Sequence, residues 1–401
     1  MNNKDENHSH AKRIMIKIGG RKHLGEERWV GALNAFDEIA CACIYREDNW
    51  NVEDPRIKVY ELENNKANYF LSGLLLRTRT KRYLWIVNWI LILLMRASNR
   101  KWITSIKKIN ADFALCSYGD YDRSDLVYLI VKNAISCKTV RSYKETRVGY
   151  NFLEHETLKS IENICLYDEE LQKFLEKKYG NHLFEKKNLL IGPDENALPK
   201  CILDKIVYQE KLSQNDGRKH IVILSYRVDS APNRERDQGR YYYIDTITQM
   251  IKAGLCVHLH CAQYNDFNGV NKYAELKDKK PDQFFMEKPL NMKRDSTADQ
   301  WVSSCEILSR YDFGLMHNID DNSTVSEFDK INIPHRFFAY EAAHVAPIIL
   351  RGSNIVLEKR FKSEKCGVVV DDISDLNSVD ISDIHYVNPT YEDYLDSIIK
   401  M

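Results

Sequence analysis

The chain has 401 residues, with 58 Lys+Arg against 58 Asp+Glu and 44% hydrophobic content. That length buries a large core and by the usual domain size divides into about two domains, while the zero net charge and apolar content exclude a disordered chain and a strongly basic nucleic-acid binder. The ten cysteines follow no disulfide-framework spacing and read as free thiols, and the mixed-charge start MNNKDENHSH reads as no signal peptide, so a cytoplasmic protein is expected.

Short β-rich runs alternate with helical stretches along the first half, the pattern of parallel α/β sheets. Strands are predicted at 13–18, 40–45, 57–62, 112–117, 138–143, 163–167 and 188–191, with a helix over 168–178 whose Leu171, Phe174 and Leu175 share one face. The first strand ends in Gly19-Gly20. Glycines there let a ligand approach the backbone, and the following helix start attracts anions; an ordinary turn is the alternative. A full GxGxxG is absent, so dinucleotide binding is not indicated.

From Asn64 to Ala111 there is no Asp or Glu, yet Lys66, Arg77, Arg79, Lys81, Arg82, Arg96, Arg100, Lys101, Lys107 and Lys108 fall there. Inside this window Tyr83–Met95 reads YLWIVNWILILLM. As a helix it reaches about 20 Å, short of the roughly 30 Å hydrocarbon core, so it does not span a bilayer. Flanking cations suit it to a membrane surface, with Trp85 and Trp89 at headgroup depth; a buried helix with solvated basic ends is the rival reading.

A polar stretch, 194–216, looks like a connection, after which the alternation restarts. Strands are predicted at 220–226, 255–261, 284–286, 312–316, 347–350 and 367–370, and helices at 241–252, 297–309, 336–343 and 391–401. The economical architecture is two doubly wound α/β halves facing a cleft, with ligands beyond the carboxyl ends of the strands. Domains are expected at 1–200, carrying the membrane-surface segment 77–101, and at 219–385, with a linker at 201–218 and a terminal helix in 386–401. His258 and His260 share a strand face beside Cys256 and Cys261. They read as satisfied imidazoles of a buried strand rather than a zinc site, and no metal ligand set is assigned.

The segment IPHRFFAYEAAHVAPIIL, Ile333–Leu350, resembles the "P-N-K-x-F-E-Y-x-A-A-G-x-P-V-I" stretch of GT-B fold glycosyltransferases, especially those building bacterial surface polysaccharides. The run from Tyr150 to Pro199 is similar to the same family's passage ahead of the interdomain linker. The resemblance implies two Rossmann-like domains and sugar transfer from a nucleotide-sugar donor to a glycan acceptor. A lipid-linked acceptor would suit the basic and apolar segment, placing the protein at the inner face of a membrane. No cofactor, divalent metal or nucleic acid is called for.

Carried over by position, the resemblance puts Arg336 near the donor diphosphate. The family's donor-binding Glu falls on Ala339, so Glu341 substitutes only in a shifted register, and the family Gly is His344. Arg227, Arg234, Arg236 and Arg240, in the loop after the first strand of the second half, are read as a diphosphate site beside a helix start, with a solvated loop as the alternative, and Gly19 and Gly20 are read as further donor contacts. On the acceptor side the loop CSYGDYDRSD offers Asp120 and Asp122 as catalytic carboxylates able to take a hydroxyl proton. Helix capping by Asp122 or Asp125 is the alternative, and Asp120-Tyr121-Asp122 also spells D-x-D. The rival functions are a GT-B-like nucleotide-sugar epimerase and a non-catalytic GT-B-like member of a polysaccharide assembly complex.

Overall fold

The computed structural model describes residues 13–19, 26–44, 54–62, 66–117, 121–144, 146, 149–192, 194–232, 241–292, 296–316 and 327–401. Strands are β1 (Ile14–Ile18), β2 (Glu38–Cys43), β3 (Ile57–Glu61), β4 (Phe113–Cys116), β5 (Lys138–Tyr143), β6 (Asn163–Leu166), β7 (Asn188–Ile191), β8 (His220–Asp229), β9 (Cys256–Asn265), β10 (Phe284–Glu287), β11 (Phe313–Leu315), β12 (Ala346–Leu350) and β13 (Val368–Val370). Helices are α1 (Glu26–Ala35), α2 (Lys66–Thr78), α3 (Trp85–Ser98), α4 (Arg100–Lys107), α5 (Tyr121–Val131), α6 (Phe152–Ser160), α7 (Glu169–Tyr179), α8 (Lys200–Leu203), α9 (Leu212–Asp216), α10 (Ile244–Lys252), α11 (Lys272–Lys279), α12 (Ala298–Leu308), α13 (Arg336–Ala342), α14 (Ile355–Glu364) and α15 (Tyr391–Lys400).

The first sheet has the order β3-β2-β1-β4-β5-β6-β7 and the second β10-β9-β8-β11-β12-β13. All adjacent strands are parallel. Central strands such as β2 (EIACAC) and β4 (FALC) are buried along their whole length, which is why they read as near-continuous apolar runs. Each order reverses direction once, at β1/β4 and at β8/β11, and such switch points open a crevice at the carboxyl ends of the strands.

One apolar cluster joins the two halves, taking in Ile18, Cys116 and Leu166 of the first sheet with Trp301, Phe337 and Tyr340 of the second half. Across this seam the Tyr167 hydroxyl donates to the Ile331 carbonyl at 3.1 Å, and Phe174 and Phe328 meet with ring centroids 5.9 Å apart. Behind the first sheet, α15 returns to the first domain and packs Tyr391, Tyr394, Leu395 and Ile398 against Met15, Phe36 and Ile39. A Thr390–Asp393 capping box starts that helix.

Two features depart from expectation. β8 and β9 pair from His220–Cys256 through Asp229–Asn265, whereas β11 meets only Ile221 and Val222 and β10 ends opposite His260. The outer halves therefore form a two-stranded ribbon, and Arg227, expected in a loop, stands within a strand. The second feature is α3. Tyr83, Trp85, Ile86, Ile90, Leu93 and Leu94 are exposed while Asn88, Leu91, Ile92 and Met95 face the core. Trp89 turns inward instead of outward, edge-on to Phe152 at 5.9 Å. No helix among the described residues is long and apolar enough to cross a membrane.

The second sheet meets α13 through a close approach. A Cβ on Gly314 of β11 would lie 2.6 Å from the Tyr340 ring, so only glycine seats that tyrosine there. Gly314→Ala should cost about 1–3 kcal/mol through forced displacement of the ring. Urea unfolding checks this by a lowered midpoint at unchanged slope.

Candidate functional site

A cavity of about 170 Å³ opens at the carboxyl edge of the second sheet, at the β8/β11 switch point. Leu224, Ser225 and Tyr226 of β8 line it with His260 and Ala262 of β9, Pro289, Leu290 and Met292 after β10, and His335, Arg336 and Ala339 at the start of α13. Most of this wall is apolar, as suits a flat ring system, and the charge comes from one side chain.

That side chain is Arg336. Its Nη1 is buried and has no hydrogen-bond partner among the described residues. Burial works against its charge, but the neighbouring Tyr243 and Tyr340 hold the guanidinium protonated, with its pKa raised. An unfilled donor on a buried cation is expensive, and an anionic or carbonyl oxygen in the cavity satisfies it. Pro334 precedes the helix start, and the roll of α13 follows from its periodicity: 336 and 339 face the cavity, while 337 and 341 face α14.

His260 shows the opposite condition. Its Nδ1 lies 2.6 Å from the Lys288 carbonyl and its Nε2 2.9 Å from the Tyr311 hydroxyl. The carbonyl only accepts, so Nδ1 carries the hydrogen and Tyr311 donates to Nε2. Burial lowers the His260 pKa, so the ring meets the cavity neutral.

The remaining expected residues fall in several places. Arg227 is half-buried against Tyr241, 4.2 Å from the ring centroid, and 3.5 Å from an Asp229 oxygen. It does not line the cavity. Arg234, Arg236, Arg240, Gly20 and Asp120 lie outside the described residues. Gly19 closes β1, its N–H donating to the Ala42 carbonyl at 3.0 Å. Asp122, in the first turn of α5, is buried in an ion pair with Arg79 at 3.0 Å and accepts from the Asn151 amide at 2.5 Å. With its oxygens so engaged, it anchors the start of α5 and is not presented as a base.

Glu341 departs from its expected place: its carboxylate turns from the cavity toward Arg360, 4.0 Å away. The resembled motif's Glu position, Ala339, is at the cavity wall instead. Tyr226, Leu290, Met292 and His335 are cavity residues without a sequence signal, because they come from separate strand ends that only the sheet brings together. His335 alone was within reach, as the residue preceding Arg336.

No family model matches the chain, and no curated protein matches it in sequence. Solved structures resemble it in shape. An alpha,alpha-trehalose 6-phosphate synthase from Burkholderia multivorans superposes with a TM-score of 0.53 at 9% identity, covering 97% of this chain and 93% of that one. Anabaena Alr3699/HepE in complex with UDP gives 0.51 at 8% identity, over 97% and 95%. A glycosyltransferase from Rickettsia africae gives 0.50 at 11%, over 98% and 94%. At these identities the likeness is one of fold, and the fold is GT-B.

Neither Glu341 oxygen has a hydrogen-bond partner among the described residues, and burial pushes the carboxyl up to about 7 against the pull of Arg360. A raised carboxyl favours the fold at pH below its ordinary value of 4.5, and that contribution is lost as pH climbs toward 7. Glu341→Gln should therefore stabilise the protein by roughly 1–3 kcal/mol at pH 8 and by little at pH 5. Denaturant unfolding at the two pH values measures the difference.

Proposed function

We propose that this chain is a glycosyltransferase that moves a hexosyl or related unit from a nucleotide-sugar donor to a glycan acceptor, lipid-linked, in polysaccharide biosynthesis. The observation that carries this reading is the buried Nη1 of Arg336, without a partner among the described residues, in an apolar cavity at the β8/β11 switch point. The apolar wall suits a nucleobase. The guanidinium suits a phosphate, and it offsets charge that builds on the departing nucleoside diphosphate. In this reading arginine does what a divalent ion does elsewhere, so no cofactor is required. The UDP complex of the structurally similar HepE makes UDP the first nucleotide to try.

On the acceptor side, Asp122 positions the start of α5 through Arg79 and Asn151 rather than taking a proton. The first domain brings the catalyst to a lipid-linked acceptor at the inner membrane face. Support comes from the apolar face of α3 and from cations, of which Lys66, Arg77, Lys81, Arg82, Arg100, Lys101, Lys107 and Lys108 are exposed. Apolar side chains and cations together bind an anionic surface.

Melting curves with UDP, GDP, CMP and ADP test the donor. One nucleotide at a hundred times its Kd should add about 2.7 kcal/mol of stability, and Arg336→Ala should weaken it by about tenfold or more. A flat panel at millimolar nucleotide hands the fold to the non-catalytic reading, which Ala339 at the cavity wall favours. For the membrane, sedimentation with anionic vesicles should pull down the protein, and Ile90→Glu with Leu93→Glu should lower the bound fraction by about tenfold or more. Equal binding by both proteins refutes the α3 face as the docking surface.

A further inference from the structure

The amino-terminal edge of the second sheet, opposite the cavity, carries a separate side-chain cluster. Asp216 ends α9, His220 opens β8 and Cys256 opens β9, so the linker helix and two neighbouring strands converge there. One ligand atom from each of the three lies within 4.8 Å of the others. Ligands about 2.0–2.3 Å from a tetrahedral ion stand roughly 3.5 Å apart, a spacing this cluster accommodates.

Hydrogen counting singles the cluster out. His220 Nε2 is 3.1 Å from Asp216 Oδ1, His220 Nδ1 is 2.8 Å from His258 Nε2, and His258 Nδ1 is 2.9 Å from Glu287 Oε1. Three contacts in a row each need one hydrogen, and two neutral imidazoles carry two N–H groups between them. A third would place a charge on rings buried to 4% and 5% exposure, held between the Asp216 and Glu287 carboxylates. A cation at His220 Nε2 resolves the count with both rings neutral. His220 Nδ1–H then donates to His258, and His258 Nδ1–H donates to Glu287, the outward relay that metal-bound histidines usually show. Asp216 fits the same arrangement. Its Oδ2 takes the Arg218 Nε–H at 2.9 Å, while Oδ1 takes the Arg218 backbone N–H at 3.0 Å and faces the cluster. The Cys256 thiol makes a long contact, 3.9 Å to the Asp282 carbonyl.

We propose that Asp216, His220 and Cys256 bind a zinc ion, with water in the fourth position on the solvent side. The mixed oxygen, nitrogen and sulfur donor set matches zinc among the divalent ions. Lying at the sheet edge away from the cavity, the ion fastens the linker helix to β8 and β9 and takes no part in the reaction. The site does not rest on the glycosyltransferase reading.

The test uses the full-length chain, stripped with chelator, dialysed, and titrated with Co²⁺. One ion per chain should bind, with a sulfur-to-cobalt charge-transfer band in the near ultraviolet. Zn²⁺ should displace it and raise the melting temperature. Cys256→Ser should abolish the band, and His258→Gln, one layer behind the ion, should weaken affinity by about 10–100-fold. Should the serine variant fail to fold, Asp216→Asn reports in its place. It keeps an oxygen for Arg218 and should still lose about tenfold or more in Co²⁺ affinity. Absence of the band at saturating Co²⁺, its survival in Cys256→Ser, or unchanged affinity in Asp216→Asn overturns the proposal.

Discussion

The contact of Tyr340 with Gly314 sets the geometry on which the cavity depends. Because the ring fills the space where a Cβ would stand, α13 sits close to β11 with one permitted roll. That roll aims Arg336 into the cavity and sends Phe337 and Glu341 toward α14, where Arg360 lies over the Phe337 ring at 4.7 Å. The Tyr340 hydroxyl, shared between the carbonyls of Val222 and Leu315 at 3.4 and 3.3 Å, fixes the same helix to both strands of the switch point. A buried cation with a hydrogen-bond donor unfilled among the described residues is held in place by surroundings this firm.

Much of this architecture was legible in the residues. Apolar runs bounded by turn residues located every strand described here, since a parallel sheet covered on both faces leaves little room for alternation. What escaped was set by partners distant in the chain. SYRVD and AQYN carry polar groups on both sides, and they are strand only because each pairs with the other. The cavity wall comes from three strand ends and a helix start. His344 is instructive. It occupies the motif's glycine position and adopts φ 53, the left-handed conformation that glycine takes freely. The cost of about 1–2 kcal/mol is offset by stacking on Tyr208 at 4.0 Å and Tyr386 at 4.6 Å. Sequence shows the missing glycine but not the two rings that replace its freedom.

The first domain links its exposed apolar face to its interior through partly buried polar pairs. Trp85 Nε1 donates to Glu156 at 3.1 Å, and the Thr78 hydroxyl donates to Asn88 at 2.6 Å. Arg79, between α2 and α3, reaches Asp122 at the start of α5. Lys144 pairs with Asp194 at 2.7 Å and stands 5.2 Å from the Phe338 ring of the other domain. Buried pairs of this kind add little net stability but penalise misalignment when one partner is lost.

The return of α15 to the first domain has a consequence for how the molecule is made. Domains ordinarily fold in order as they leave the ribosome. Here the outer face of the first sheet, with Met15, Phe36 and Ile39, waits for Tyr391, Tyr394, Leu395 and Ile398, so its last apolar surface is covered only when synthesis has passed the whole second domain. The apolar surface around Met15, Phe36 and Ile39 is therefore among the last of this fold to be closed.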